Sequence, residues 1–191
     1  MKKGIAVFGL VVFAFLILIL SCQSAPQKEL AAAKDALQKA QEAEADKYAS
    51  DLFTQAQNSI TEAENLIASK KYGDAKQLLI NAQGVAESAA QQAGINKDET
   101  KTEVEDYLAA IDGAMKQLHE TQDLSKQWKL PESVWMLTDE MARWDQGIQR
   151  AKAEYSAGNY YLAKQLAAQV HQEVTSKDNE LRSLIMEKQK K

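Results

Sequence analysis

Residues 72–93 read YGDAKQLLINAQGVAESAAQQA. Ala75, Leu78, Ala82, Val85 and Ala89 recur at steps of three and four, which puts them on one face of an α-helix. No proline interrupts the stretch, and no alternation of period two suits it to a strand. The same rhythm continues in both directions. Leu30, Ala33, Leu37, Ala40 and Ala43 come before it, then Phe53, Ala56, Ile60, Ala63 and Ile67. Val104, Leu108, Ile111, Met115 and Leu118 follow. Next are Val134, Leu137, Met141, Trp144, Ile148, Ala151 and Tyr155, and last Ala163, Leu166, Val170, Val174, Leu181 and Leu184. Gly94 and Asn96-Lys97-Asp98 break the pattern, and Pro131 suits the first turn of a helix. The spacing predicts six helices, over 28–46, 49–69, 73–93, 98–128, 132–156 and 159–189. Their seams approach a coiled-coil pattern, and their short turns make sequential helices antiparallel neighbours. The expected fold class is all-α, an elongated antiparallel helical bundle.

The sequence also repeats itself. Shifted by 88 positions, YGDAKQLL (72–79) falls on YYLAKQLA (160–167), and 48–88 shares nine identities over 41 positions. Two three-helix units are expected, 28–93 and 98–191. The turn Gly158-Asn159-Tyr160-Tyr161-Leu162-Ala163 resembles the inter-helix turn of tetratricopeptide repeats. Glycine there suits a positive φ, Asn159 suits a cap, Tyr160 packs across the corner and Ala163 lets the helices close. The copy at 70–75 keeps the tyrosine and alanine but loses the glycine and the capping residue. The rest of the 34-residue tetratricopeptide pattern is absent, so helical hairpins are expected rather than a repeat array.

Composition narrows the classes further. Of 191 residues, 45 % are hydrophobic and 26 % charged, with 2 prolines and 8 glycines, which excludes collagen and wholesale disorder. One cysteine excludes an internal disulfide framework and a cysteine zinc cluster.

That cysteine closes an N-terminal pattern. Lys2 and Lys3 precede an apolar run from Gly4 to Leu20, and Ser21-Cys22 follow. A basic start, an apolar stretch and a small residue make a secretory signal. Ile19-Leu20-Ser21-Cys22 resembles a bacterial lipobox. The resemblance implies a signal peptide over 1–21, cleavage before Cys22, acylation of Cys22 and a tether over 22–27. Several acyl chains anchor stably where one is marginal. The competing reading is an uncleaved anchor helix with an incidental cysteine. Gln23 in place of aspartate implies, by resemblance to enterobacterial sorting, an outer-membrane location facing the periplasm. Without Lys2 and Lys3 the chain carries 21 basic and 27 acidic residues, a net of −6. That balance does not suit nucleic acid. The tail lysines Lys188, Lys190 and Lys191 suit a frayed helix end or a contact with anionic headgroups or wall polymers.

The lipobox, the Ala-rich helix and the Tyr/Ala turn together resemble small bacterial envelope lipoproteins of unknown function, with the resemblance best over 28–90. Some of those carry the helical module beside an OmpA-like peptidoglycan-binding domain, and this chain shows no such domain. The resemblance implies no catalytic residues.

No catalytic motif stands out. His119 and His171 form no H-E-x-x-H arrangement, and there is no P-loop or G-x-S-x-G elbow. No enzymatic activity, cofactor or metal site is expected. Trp128, Trp135 and Trp144 lie within 17 residues, with Met136 and Met141 among them. Trp144 belongs to a seam. Trp128, Trp135 and Met136 flank the Leu130-Pro131 corner. They suit a local mini-core, an exposed anchor for a partner, or a contact with a membrane interface. The expected function is a membrane-anchored structural or adaptor component, held to the bilayer through acylated Cys22 and meeting an envelope protein or the cell wall. The alternative is a periplasmic small-ligand-binding or enzymatic helical module.

Overall fold

The computed structural model describes residues 24–190. The expected signal peptide, Cys22 and Gln23 lie outside the described residues. The fold is all-α. Among the described residues the elements are α1 (Gln27–Glu42), α2 (Ala45–Tyr48), α3 (Ser50–Ala68), α4 (Tyr72–Gln127), α5 (Glu132–Trp135), α6 (Thr138–Ser156) and α7 (Tyr160–Gln189). The chain divides into two compact units between Ala93 and Gly94, inside α4. None of the described helices is long and apolar enough to cross a membrane.

In unit 1, α1, α3 and the first part of α4 pack through small side chains. Ala33, Ile60, Ala63, Leu79 and Ala82 form one buried cluster. Ala36, Ala56 and Ala86 form a second, and Ala40, Ala45, Tyr48, Ala89 and Ala93 a third. In unit 2, the rest of α4 packs with α6 and α7 around Ile111, Leu118, Leu137, Trp144, Val170, Val174 and Leu181. Gly147 permits the close crossing of α6 and α7, because a Cβ there would lie 2.6 Å from Val170 Cγ2.

Three boundaries differ from the six-helix expectation. The third and fourth helices are one, because α4 runs through Gly94 and Asn96-Lys97-Asp98. One glycine costs about 1 kcal/mol in a helix and polar residues only tenths, too little to break a packed helix. The stripe is carried across by buried Ala93, Thr100 and Val104, with the Thr100 hydroxyl donating to the Asn96 carbonyl at 2.7 Å. The expected first helix stops early at Glu42, where Glu44 turns the chain with φ 59°, and the single-turn α2 follows. The expected fifth helix is broken at Met136 and Leu137, which separate α5 from α6.

The offset of 88 reappears in the element boundaries. Helices α3 and α6 each have 19 residues and begin at Ser50 and Thr138, while α4 and α7 begin at Tyr72 and Tyr160. The intervening turns have the same hydrogen bonds. Lys70 N–H donates to Ile67 and Lys71 N–H to Leu66, and Gly158 N–H donates to Tyr155 and Asn159 N–H to Glu154. Both turns pass through the left-handed region, at φ 59° for Lys70 and 80° for Gly158. The expected Asn159 side-chain cap is not made, since its amide donates to Glu154 Oε2 at 2.8 Å instead. Tyr160 does pack across the corner, with its ring 5.4 Å from that of Tyr155.

Candidate functional site

The corner between α4 and α6 is built from the C-terminus of α4. Lys129 N–H donates to the Lys126 carbonyl and Leu130 N–H to that of Ser125, each at 3.0 Å, closing the helix in a Schellman arrangement. The turn needs a left-handed residue, and Lys129 supplies it with φ 51°. Pro131 cannot donate to a continuing helix and leads in extended form into α5.

This geometry separates the three corner residues. Trp135 is half-buried and packs with Val134 against the core of unit 2. Its indole N–H donates to the Leu130 carbonyl at 3.1 Å, and its own carbonyl accepts from Gln122 Nε2 at 2.8 Å. The Lys126 ammonium sits 5.2 Å from its ring centroid, within cation–π range. Trp135 therefore ties the corner together. Trp128 and Met136 are the exposed members, at 40 % and 54 %. Trp128 N–H still bonds the Leu124 carbonyl, so it extends the stripe of exposed Leu124. That stripe lies about 200° around the helix from Lys126, so Trp128 and the lysine that sits over Trp135 leave α4 on opposite sides. Lys188 fastens the C-terminal turn of α7 to the corner by donating to the Lys129 carbonyl at 2.6 Å.

Trp144 is a core residue, 2 % exposed. Its indole donates to Glu173 Oε2 at 2.9 Å, and Gln169 donates to the other carboxylate oxygen at 2.9 Å. Beside it, between α6 and α7, lies an open recess of about 740 Å³ whose walls include Glu140, Arg143, Glu173, Ser176 and Lys177.

Residues 28–104 match a family described as a domain of unknown function (DUF4398). The match covers less than half of the chain: unit 1 and the start of unit 2, but none of the corner residues. No curated protein and no solved structure matches the chain.

The histidines are apart in role. His119 Nδ1 lies 2.7 Å from the Met115 carbonyl, one helical turn away, and His171 packs 5.9 Å from the Tyr107 ring. No group of three or more metal-ligating side chains occurs among the described residues. Sequence reasoning passed over Asp178. It is buried on the seam of α7, with Oδ2 accepting from Arg182 Nε at 2.6 Å and Oδ1 without a partner. The signal available was the gap between Val174 and Leu181 in the apolar stripe.

Proposed function

We propose that this chain is a non-catalytic bacterial envelope lipoprotein, anchored through acylated Cys22 and serving as a structural or protein-interaction component. The observation that carries the reading is the position of the sole cysteine, directly after a small residue at the end of a basic-then-apolar N-terminus. The match of 28–104 to a family without assigned function fits the resemblance to small envelope lipoproteins. Outer-membrane sorting through Gln23 is part of the proposal. Anchoring confines the helical units to a surface and raises their effective concentration near partners there. Within unit 2, the partner-facing residues are Trp128 and Met136, exposed beside a corner that Trp135 holds rigid.

The test is fractionation of cells expressing wild type and Cys22→Ala, with acylation read on the Cys22 peptide by mass spectrometry. The expected result is acylated wild type in the outer-membrane fraction and an unacylated variant that loses that location. Identical fractionation without acylation overturns the anchor. Crosslinking then tests the corner: a defined partner should be lost on Trp128→Ala with Met136→Ala, and its retention overturns that assignment. The recess between α6 and α7 favours a second reading, a small polar ligand held in unit 2. A ligand that co-purifies and is lost on Arg143→Gln supports it.

A further inference from the structure

Unit 1 is electrically polarised along its length. The described chain enters at Ser24, and Ser24, Ala25 and Pro26 line one recess with Tyr72 and Lys76 at the start of α4. The turn just before Tyr72 carries Lys70 and Lys71, both exposed, and Lys28 is exposed on the first turn of α1. At this end Lys28, Lys70, Lys71 and Lys76 stand against Glu29 and Asp74, a net of +2. Lys76 is engaged with Glu29 at 2.9 Å, whereas Lys28, Lys70 and Lys71 make no ion pair among the described residues. The other end holds Asp35, Glu42, Glu44, Asp46 and Asp51 against Lys39 and Lys47, a net of −3. Glu44 and Lys47 pair there at 2.7 Å. The 16 residues of α1 separate the two ends by about 24 Å, roughly three Debye lengths at physiological salt.

We propose that the lysine end of unit 1 is a docking face for anionic lipid headgroups, so that tether and charge together decide which end of the unit meets the bilayer. The proposal rests on the Cys22 anchor. Two residues of chain span at most about 7 Å, so an acyl group on Cys22 holds Ser24 within about one Debye length of the headgroups. Lys28, Lys70 and Lys71 then lie where each lysine strengthens attraction to an anionic surface about five-fold. The acidic end is repelled by the same surface. Half-buried Tyr72 beside the entry adds an amphipathic ring of the kind that favours the interface. The whole chain is acidic, so this attraction belongs to one end and not to the body.

The test places a fluorophore at either end of α3, through Ser69→Cys beside the lysines or Ser50→Cys at the acidic end. These sites are about 28 Å apart along the helix. The full acylated protein is reconstituted in phosphatidylcholine vesicles with or without phosphatidylglycerol, carrying a headgroup quencher. On anionic vesicles the Ser69 probe should be quenched at least about three-fold more than the Ser50 probe, as Lys28, Lys70 and Lys71 supply the attraction. The contrast should shrink on neutral vesicles and in Lys28→Gln/Lys70→Gln/Lys71→Gln. It should persist in Lys126→Gln/Lys129→Gln, which removes two positive charges from the corner of unit 2 instead. Equal quenching at both sites on anionic vesicles, or a contrast unchanged by the triple substitution, overturns the docking face. Flotation with neutral vesicles reads the anchor separately, and its absence overturns the Cys22 reading alone.

Discussion

Units 1 and 2 use the same order of helices with opposite choices of side-chain size. At positions related by the offset of 88, buried Ala56 corresponds to Trp144, Ala82 to Val170, Ala86 to Val174 and Ala93 to Leu181. Leu79 and Ala167 reverse the pattern. Unit 1 gains little area from each buried alanine and draws on alanine's helix propensity and close backbone approach. Unit 2 buries larger apolar groups, at about 0.8 kcal/mol per methylene. One set of turns thus accommodates two packing regimes, and the regimes differ in which substitutions they tolerate.

The largest effect should come from removing bulk in unit 2. Trp144→Ala should cost about 3–5 kcal/mol in urea unfolding, since it empties a core site and frees Glu173 from an indole donor. The mirror experiment in unit 1 adds bulk. Ala63→Leu, at a fully buried alanine, should cost about 1–3 kcal/mol through overpacking. If Ala63→Leu were neutral, unit 1 would not be tightly packed and the contrast would fail.

Gly147 sets the same contrast within one helix crossing. Gly147→Ala should cost about 1–3 kcal/mol, because the new methyl meets Val170 Cγ2. In unit 1 the corresponding residues are Ser59 and Ala82, so the small residue lies on the other helix. The double variant Gly147→Ala/Val170→Ala copies that arrangement and should recover part of the loss. Thermal unfolding of the three proteins checks this, and a double variant less stable than the additive sum contradicts it.

The shared turns give a smaller effect of opposite sign. Lys70 and Gly158 occupy the same left-handed position, where a residue with a Cβ is strained by about 1 kcal/mol. Lys70→Gly should raise the melting temperature and Gly158→Ala should lower it. Equal signs would separate the two turns.

The smallest effect is a pH dependence carried by one hydrogen bond of unit 2. The Tyr155 phenol donates to the Glu105 carboxylate, and that hydrogen bond, aided by some desolvation and the Glu105 charge, pushes its pKa up from 10.0 to about 12. The folded value lies above the ordinary one. The bond's contribution is therefore complete below about pH 10 and lost as the pH rises through about 12. Unit 1 has Ile67 at the corresponding position and so lacks this hydrogen bond. Tyr155→Phe should abolish the part of the alkaline destabilisation that Tyr155 carries.

Much of this fold is legible in the sequence because periodicity reports burial directly. Leu118, Val170, Val174 and Leu181 all lie on predicted seams and all are buried. What escaped depends on balances between local cost and tertiary gain. Gly94 looks like a stop, yet the helix continues because Ala93, Thr100 and Val104 remain buried on either side. The break at Met136 and Leu137 carries neither proline nor glycine and reflects the turn of the chain from α5 into α6. Pattern alone does not separate Trp128 from Trp135. Only the direction in which each leaves the corner makes one an exposed ring and the other a tie to Leu130. Asp178 was hidden because its polar side chain occupies an apolar register position.

Intact mass measurement of the protein purified from its native membrane decides whether Cys22 is the anchor. The expected result is a chain beginning at Cys22 whose mass exceeds that of residues 22–191 by a diacylglycerol group, with or without a further acyl chain. A mass of 21.2 kDa, that of the whole unmodified chain, contradicts it.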